Sequence, residues 1–209
     1  FAKKTYPRFS KITVVSEEAA EKVKRALPRL KEKIEVESNR VSQEMIRSLA
    51  KRGKGFEDAF QGIRVLTVGR LSKEKGQDLL IPVAAKLMKH FNIRWYCIGE
   101  GSARSEYEAL IKKYGVENHF FLLGKKINPY PFMKECDLYV QPSRHEGFCL
   151  TLSEAKCFQK PIVATNFVGA KEQLKDEGLI VPITTEALYE GVKQVMEEHY
   201  LPIRKKVMR

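Results

Sequence analysis

The chain opens without methionine, and Phe1-Ala2-Lys3-Lys4 is not followed by the apolar stretch of a secretory leader. It is therefore read as starting inside a longer protein, with no signal peptide. No apolar run approaches the roughly 18 residues needed to cross a bilayer, so no transmembrane helix is expected. Cysteine is scarce: Cys97, Cys136, Cys149 and Cys157, with no CxxC spacing and only four histidines alongside. That argues against a zinc site and for reduced thiols in a cytosolic setting. Acidic charge is short as well, with 26 Asp and Glu against 38 Lys and Arg, a net +12. The imbalance lies at the ends. Residues 1–60 carry 15 basic and 9 acidic side chains, residues 201–209 four and none, and residues 61–200 nineteen and seventeen. A near-neutral middle argues against a nucleic-acid-binding protein. Basic ends fit contact with an anionic membrane face or with phosphates, and equally a solvated surface. Hydrophobic residues, at 43%, suffice for a sizeable core.

What is present is a strand–helix alternation. Lys11–Val15 reads as a strand, Ser16 as a cap with Glu17 and Glu18 in the first turn, and a helix to about Leu27 ahead of Pro28. Ile34–Val36 reads as a strand, and Ser42 caps a helix to about Lys51. Lys51-Arg52-Gly53-Lys54-Gly55 is the best linker. Beyond it, strands are expected at 63–68, 93–98, 120–123, 137–141, 161–165 and 179–181. Helices are expected at 77–90, 102–114, 129–135, 148–159, 171–175 and 185–199. Short apolar strands separated by helices imply a doubly wound, Rossmann-like parallel α/β sheet, with ligands beyond the carboxyl ends of the strands.

The strand-to-helix loops therefore carry the chemistry. In Val68-Gly69-Arg70-Leu71-Ser72-Lys73-Glu74-Lys75-Gly76, Gly69 lets backbone approach a ligand, and Arg70 and Lys75 flank a helix entrance suited to a diphosphate leaving group; a solvated basic turn is the plain alternative. Ile98-Gly99-Glu100-Gly101-Ser102 lacks the third small residue of a dinucleotide fingerprint, having Arg104 there, and reads as a turn before a Ser-capped helix. In the next loop Asn128 as cap and Pro129 as first helical residue start a helix. The richest loop is Pro142-Ser143-Arg144-His145-Glu146-Gly147-Phe148-Cys149. Amides near Phe148 and Cys149 would face an anion at the start of a helix, and Glu154 would lie on that helix. Carboxylates held there need donors, which sugar or ribose hydroxyls supply; two ion-paired glutamates are the plain alternative. Cys149 and His145 read more simply as a packed thiol and a loop histidine than as reactive groups.

Together these pieces resemble the retaining "glycosyl transferases group 1" family. They are Val68-Gly69-Arg70 with Lys75-Gly76, Ile98-Gly99-Glu100-Gly101, Phe121-Leu122-Leu123-Gly124, Pro142-Ser143 with Glu146-Gly147-Phe148, Glu154-Ala155, Pro161-Ile162-Val163-Ala164-Thr165, and Gly169 with Glu172. The resemblance implies the C-terminal, donor-binding half of a GT-B enzyme over residues 56–209. Residues 1–55 would be the tail of the acceptor domain plus the crossing at Lys33–Asn39. It implies that Arg70 and Lys75 grip the diphosphate of a nucleoside-diphosphate sugar, with UDP favoured. Gly69 would let the donor approach the backbone, and Glu146 would hold sugar hydroxyls beside the amides of Gly147, Phe148 and Cys149. Glu154 would hold the ribose, and the backbone at Lys125 and Lys126 the base. No metal or other cofactor is implied, and Asp58, Asp78, Asp137 and Asp176 form no DxD pair. The implied product is a cell-surface polysaccharide or glycolipid, made from a saccharide or lipid-linked acceptor at the inner face of the membrane, with peripheral association. A glycogen- or starch-synthase-like transferase and a non-catalytic nucleotide-sugar-binding module are the alternatives. As a fragment, the chain is expected to bind donor and turn over poorly. Cys149 in place of the commoner Gly, and the short stretch Lys175-Asp176-Glu177-Gly178, depart from the family pattern.

Overall fold

The computed structural model describes residues 5–37, 39 and 41–207, the last seven by backbone alone. Ser38 of the expected crossing and the side chains of the basic 201–209 segment lie outside that description.

Strands β1 (Ile12–Val14) and β2 (Ile34–Val36) pair in parallel as a two-stranded sheet, joined by helix α1 (Glu17–Ala26). Helix α2 (Gln43–Leu49) follows. Ser16 and Ser42 are the caps their sequence context implies: each Oγ accepts the N–H three residues on, Ala19 and Met45.

The second sheet holds β3 (Ile63–Val68), β4 (Ile93–Ile98), β5 (Phe120–Leu122), β6 (Leu138–Gln141), β7 (Ile162–Thr165) and β8 (Leu179–Val181). Its order is β5-β4-β3-β6-β7-β8, and every neighbouring pair is parallel. Side chains alternate between its faces, as the two-residue strand period requires. Val65, Trp95, Leu138, Val140 and Val163 enter one core with helices α3 (Gln77–Leu87), α4 (Arg104–Tyr114) and α8 (Thr185–Val207). Leu66, Tyr96, Tyr139, Ile162 and Ala164 enter the other with α5 (Tyr130–Glu135), α6 (Leu150–Lys156) and α7 (Ala170–Leu174). The sheet is thus doubly wound, and the winding reverses between β3 and β6. A crevice opens beyond the carboxyl ends of those two strands.

Several expected boundaries move, α3 ending at Leu87 rather than His90 among them. Helix α6 starts at Leu150 rather than Phe148, because both backbone groups of Cys149 are held by Gln173. Ser102 does not cap α4; Ala103 takes that position, its N–H given to the Leu71 carbonyl. Helix α5 begins at Tyr130, one residue after Pro129. Asn128 accepts the Tyr130 N–H, and its amide nitrogen donates to Leu49 on α2. Helix α8 continues past His199 through Pro202 to Val207.

Candidate functional site

The loops after β3 and β6 meet at the crevice because Gly76 has no side chain. Its φ is +72°, and a β-carbon there would lie 2.1 Å from the Pro142 carbonyl oxygen. Arg144 clasps the same junction, with its two terminal nitrogens 2.7 and 2.8 Å from the Asp78 carboxylate and a further bond to the Lys73 carbonyl. This brings Lys75 to Glu146, which is 71 residues distant in sequence. The Lys75 Nζ lies 2.7 and 2.8 Å from the two Glu146 oxygens, and the Glu146 side chain is only 6% exposed.

A carboxylate so enclosed needs every acceptor position answered. Ser143 Oγ donates to Glu146 Oε1 at 2.7 Å, and Gln141 Nε2 donates to Ser143 Oγ at 2.9 Å. Tyr139 OH in turn donates to Gln141 Oε1 at 2.9 Å. The result is a buried chain running from the core of the sheet to the ammonium of Lys75. Beside it, Gln77 donates to the carbonyls of Gly69 and Arg70 and fixes the backbone of the first loop. The Arg70 side chain is exposed and meets no acceptor among the described residues, so its guanidinium is open to a ligand. The N–H groups of Gly147 and Phe148 are likewise without an acceptor among the described residues, whereas that of Cys149 is donated to Gln173 Oε1 at 3.1 Å. The expectation that Cys149 offers its amide to an anion is therefore corrected for this conformation.

Glu154 stands apart from the Lys75–Glu146 pair. Tyr130 OH donates to its Oε1 at 3.2 Å, and burial raises its carboxyl above the ordinary 4.5, the Tyr130 bond opposing that shift. An acid with a raised folded value carries no penalty below the unfolded value and a growing one as pH climbs past it. Glu154→Gln is thus expected to raise the melting temperature of the unliganded protein at pH 7, with the gain vanishing below the ordinary carboxylate value. Thermal unfolding followed across that range checks it.

Lys125 and Lys126 are exposed on the β5–α5 loop. The Lys126 Nζ lies 5.9 Å from the centre of the Phe132 ring, at a cavity of about 530 Å³ whose walls include Tyr96, Phe121, Leu123 and Asn128. His145 is exposed, and its backbone N–H donates to the Glu74 carbonyl. All four cysteines are buried. Burial pushes the Cys136 and Cys149 thiols up to about 12, and moves Cys97 and Cys157 the same way. The native protein is expected to leave a thiol-reactive dye untouched at pH 8 and to release four equivalents once denatured.

Sequence reasoning singled out Lys75 and Glu146 but gave no part to Gln141, Gln77 or Gln173. A lone glutamine at the end of an apolar strand, as Gln141 is, was the one available signal for a buried polar chain.

A family model described as "Glycosyl transferases group 1" matches residues 58–208. The chain belongs to the glycosyl transferases group 1 family. It is 33% identical over 173 residues to the N-acetylgalactosamine-N,N'-diacetylbacillosaminyl-diphospho-undecaprenol 4-alpha-N-acetylgalactosaminyltransferase of Campylobacter jejuni, covering 81% of this chain and 46% of that protein. It is 29% identical over 140 residues to the alpha-D-kanosaminyltransferase of Streptomyces kanamyceticus, covering 64% and 36%. The chain thus spans about half, or less, of the length of these relatives. The fold is shared with HepE of Anabaena, solved with UDP and glucose, at a TM-score of 0.77 and 23% identity over 90% of this chain and 54% of that one. It is also shared with TarM of S. aureus, solved in complex with fondaparinux, alpha-GlcNAc-glycerol and UDP, at 0.75 and 22% over 90% and 37%. The helix-flanked parallel sheet of residues 63–181 is of the GT-B type. No helix among the described residues is long and apolar enough to cross a membrane.

Proposed function

We propose that this chain binds a nucleoside-diphosphate sugar, UDP-linked in first place, across the crevice between β3 and β6. In this reading it serves transfer of a hexosyl or N-acetylhexosaminyl group, with retention, to a saccharide or lipid-linked acceptor in surface polysaccharide or glycolipid synthesis at the inner membrane face. The observation that carries the reading is the enclosed Lys75–Glu146 pair beside the open Arg70 guanidinium. Arg70 presents a planar fork and Lys75 a point charge to one diphosphate. Both stabilise the negative charge that develops as the sugar–phosphate bond breaks, with no metal required. Glu146, aligned by Ser143, accepts from hydroxyls of the donor sugar, and the open Gly147 and Phe148 amides meet the donor beside Gly69, whose own N–H is held by the Ile98 carbonyl at 2.9 Å. Glu154 accepts from the ribose. The backbone at Lys125 and Lys126 meets the base, for which the neighbouring aromatic-walled cavity leaves room.

Calorimetric titration with UDP, UDP-N-acetylglucosamine, UDP-galactose, UDP-glucose and GDP-mannose tests this. Saturable binding of the UDP series, lost in Glu154→Ala, is expected. Binding of the GDP sugar alone would overturn the choice of nucleotide, and binding of none would overturn the donor-site reading.

A further inference from the structure

The turn between β1 and α1 lies against the loops of the large sheet at two helix starts. The Glu17 N–H opens α1 and has no partner within its own helix; it donates to Glu172 Oε2 at 3.1 Å. Gly169 caps α7, and its N–H donates to Glu18 Oε2 at 2.8 Å. Each helix thus supplies the carboxylate that closes the other. Ser16, between them, is 1% exposed, and its Oγ sits 3.6 Å from where a β-carbon on Gly169 would be. Val15 Cγ2 lies 3.9 Å from the corresponding point on Gly147. The bond from Gly169, with help from Lys22, holds the Glu18 carboxyl below its ordinary value.

Helix α7 carries this contact onward. Its Gln173 accepts the Cys149 N–H at 3.1 Å and donates to the Cys149 carbonyl and to Ser153 Oγ, both at 3.2 Å. Lys156 Nζ donates to the Gln173 carbonyl at 2.6 Å. A five-residue helix tied at both ends moves as one piece. Whatever displaces Gly169 displaces Cys149, and with it Gly147 and Phe148.

We propose that Glu18 and Glu172 form a reciprocal latch through which the β1–α1 turn sets the position of the Gly147–Cys149 loop, making Glu18 a positioning residue for the sugar portion of the donor. The proposal rests on the donor-site reading above. Because the latch acts on the sugar-side loop and not on Arg70 or Lys75, it separates affinity for the nucleotide from affinity for the nucleotide sugar.

The test compares the unaltered chain with Glu18→Ala and Glu18→Gln in two measurements. The first is amide hydrogen exchange without ligand. Glu18→Ala is expected to speed exchange about fivefold in two segments, at Cys149, whose N–H Gln173 holds, and over 169–174, with 63–68 unchanged, and Glu18→Gln, which keeps an acceptor oxygen, to stay near the original. The second is titration with UDP and with UDP-N-acetylglucosamine and UDP-glucose. Glu18→Ala is expected to weaken the tighter UDP-sugar about fivefold while UDP itself shifts less than about twofold. Unchanged exchange in both segments, or equal weakening of UDP and UDP-sugar, would overturn the latch. Failure of the unaltered chain to bind any of these ligands would instead sink the donor-site reading, and the exchange experiment would still decide whether the latch exists.

Discussion

Lys75→Met is expected to destabilise the protein by about 3 kcal/mol, toward the lower end for a broken buried ion pair. The methionine leaves a carboxylate that is 6% exposed with no cation against it, and the Ser143 hydroxyl alone cannot replace one. Lys75 retains 23% exposure, so water offsets part of the loss. Glu146→Gln leaves a better hydrated ammonium behind and is expected to cost less. The double variant, with no charge to strand, is expected to recover most of the stability, so the two changes are strongly non-additive. Urea unfolding of all four proteins reads the coupling directly. Additive costs, each below about 1 kcal/mol, would mark the pair as solvated and of little structural weight. If Lys75 also faces the leaving diphosphate, Lys75→Met in an active enzyme lowers turnover about 10²–10³-fold, the scale for removing one preorganised charge-stabilising donor.

Gly76→Ala is expected to be worse for stability than its single methyl suggests. Alanine at φ +72° costs about 1–2 kcal/mol for the left-handed backbone. The added carbon also falls 2.1 Å from a backbone carbonyl, that of Pro142, which cannot rotate away as a side chain would. The loops after β3 and β6 must separate, opening the junction that brings Lys75 to Glu146. The combined cost is put at about 3–4 kcal/mol, or a melting temperature roughly 10 °C lower for a chain of this size. Gly115→Ala supplies the control. Its φ is +63°, but nothing lies within 4 Å of the new carbon, so only the backbone term applies. Equal losses for the two variants would show that the contact at Pro142 relaxes freely.

The fold was open to reading because its signals are local. Strand alternation, the serines at 16 and 42 and the glycine-bearing loops each sit within a few residues of what they specify. The pairing of Lys75 with Glu146 was not local, yet both were singled out, since each lies in a loop that the winding of the sheet delivers to one edge. What escaped depends on contacts between distant segments. Gln173 determines where α6 begins, at Leu150 well upstream of it, and so which amides remain open on the Gly147–Cys149 loop. Glu17 and Glu18 read as ordinary first-turn acids, yet the Glu17 amide and the Glu18 carboxylate close contacts more than 150 residues away. The polar chain from Tyr139 to Glu146 is invisible to periodicity because its members are spaced by two and three residues across the end of a strand.

The central claim is that one ligand bridges the loops on both sides of the reversal between β3 and β6. Amide chemical-shift mapping during titration with a UDP-sugar tests it most directly. The account predicts concerted, saturable shifts at Gly69, Arg70 and Lys75 on one loop and at Ser143, Gly147 and Phe148 on the other, with one dissociation constant for both sets. Shifts confined to a single loop, or clustered away from the crevice, would contradict it.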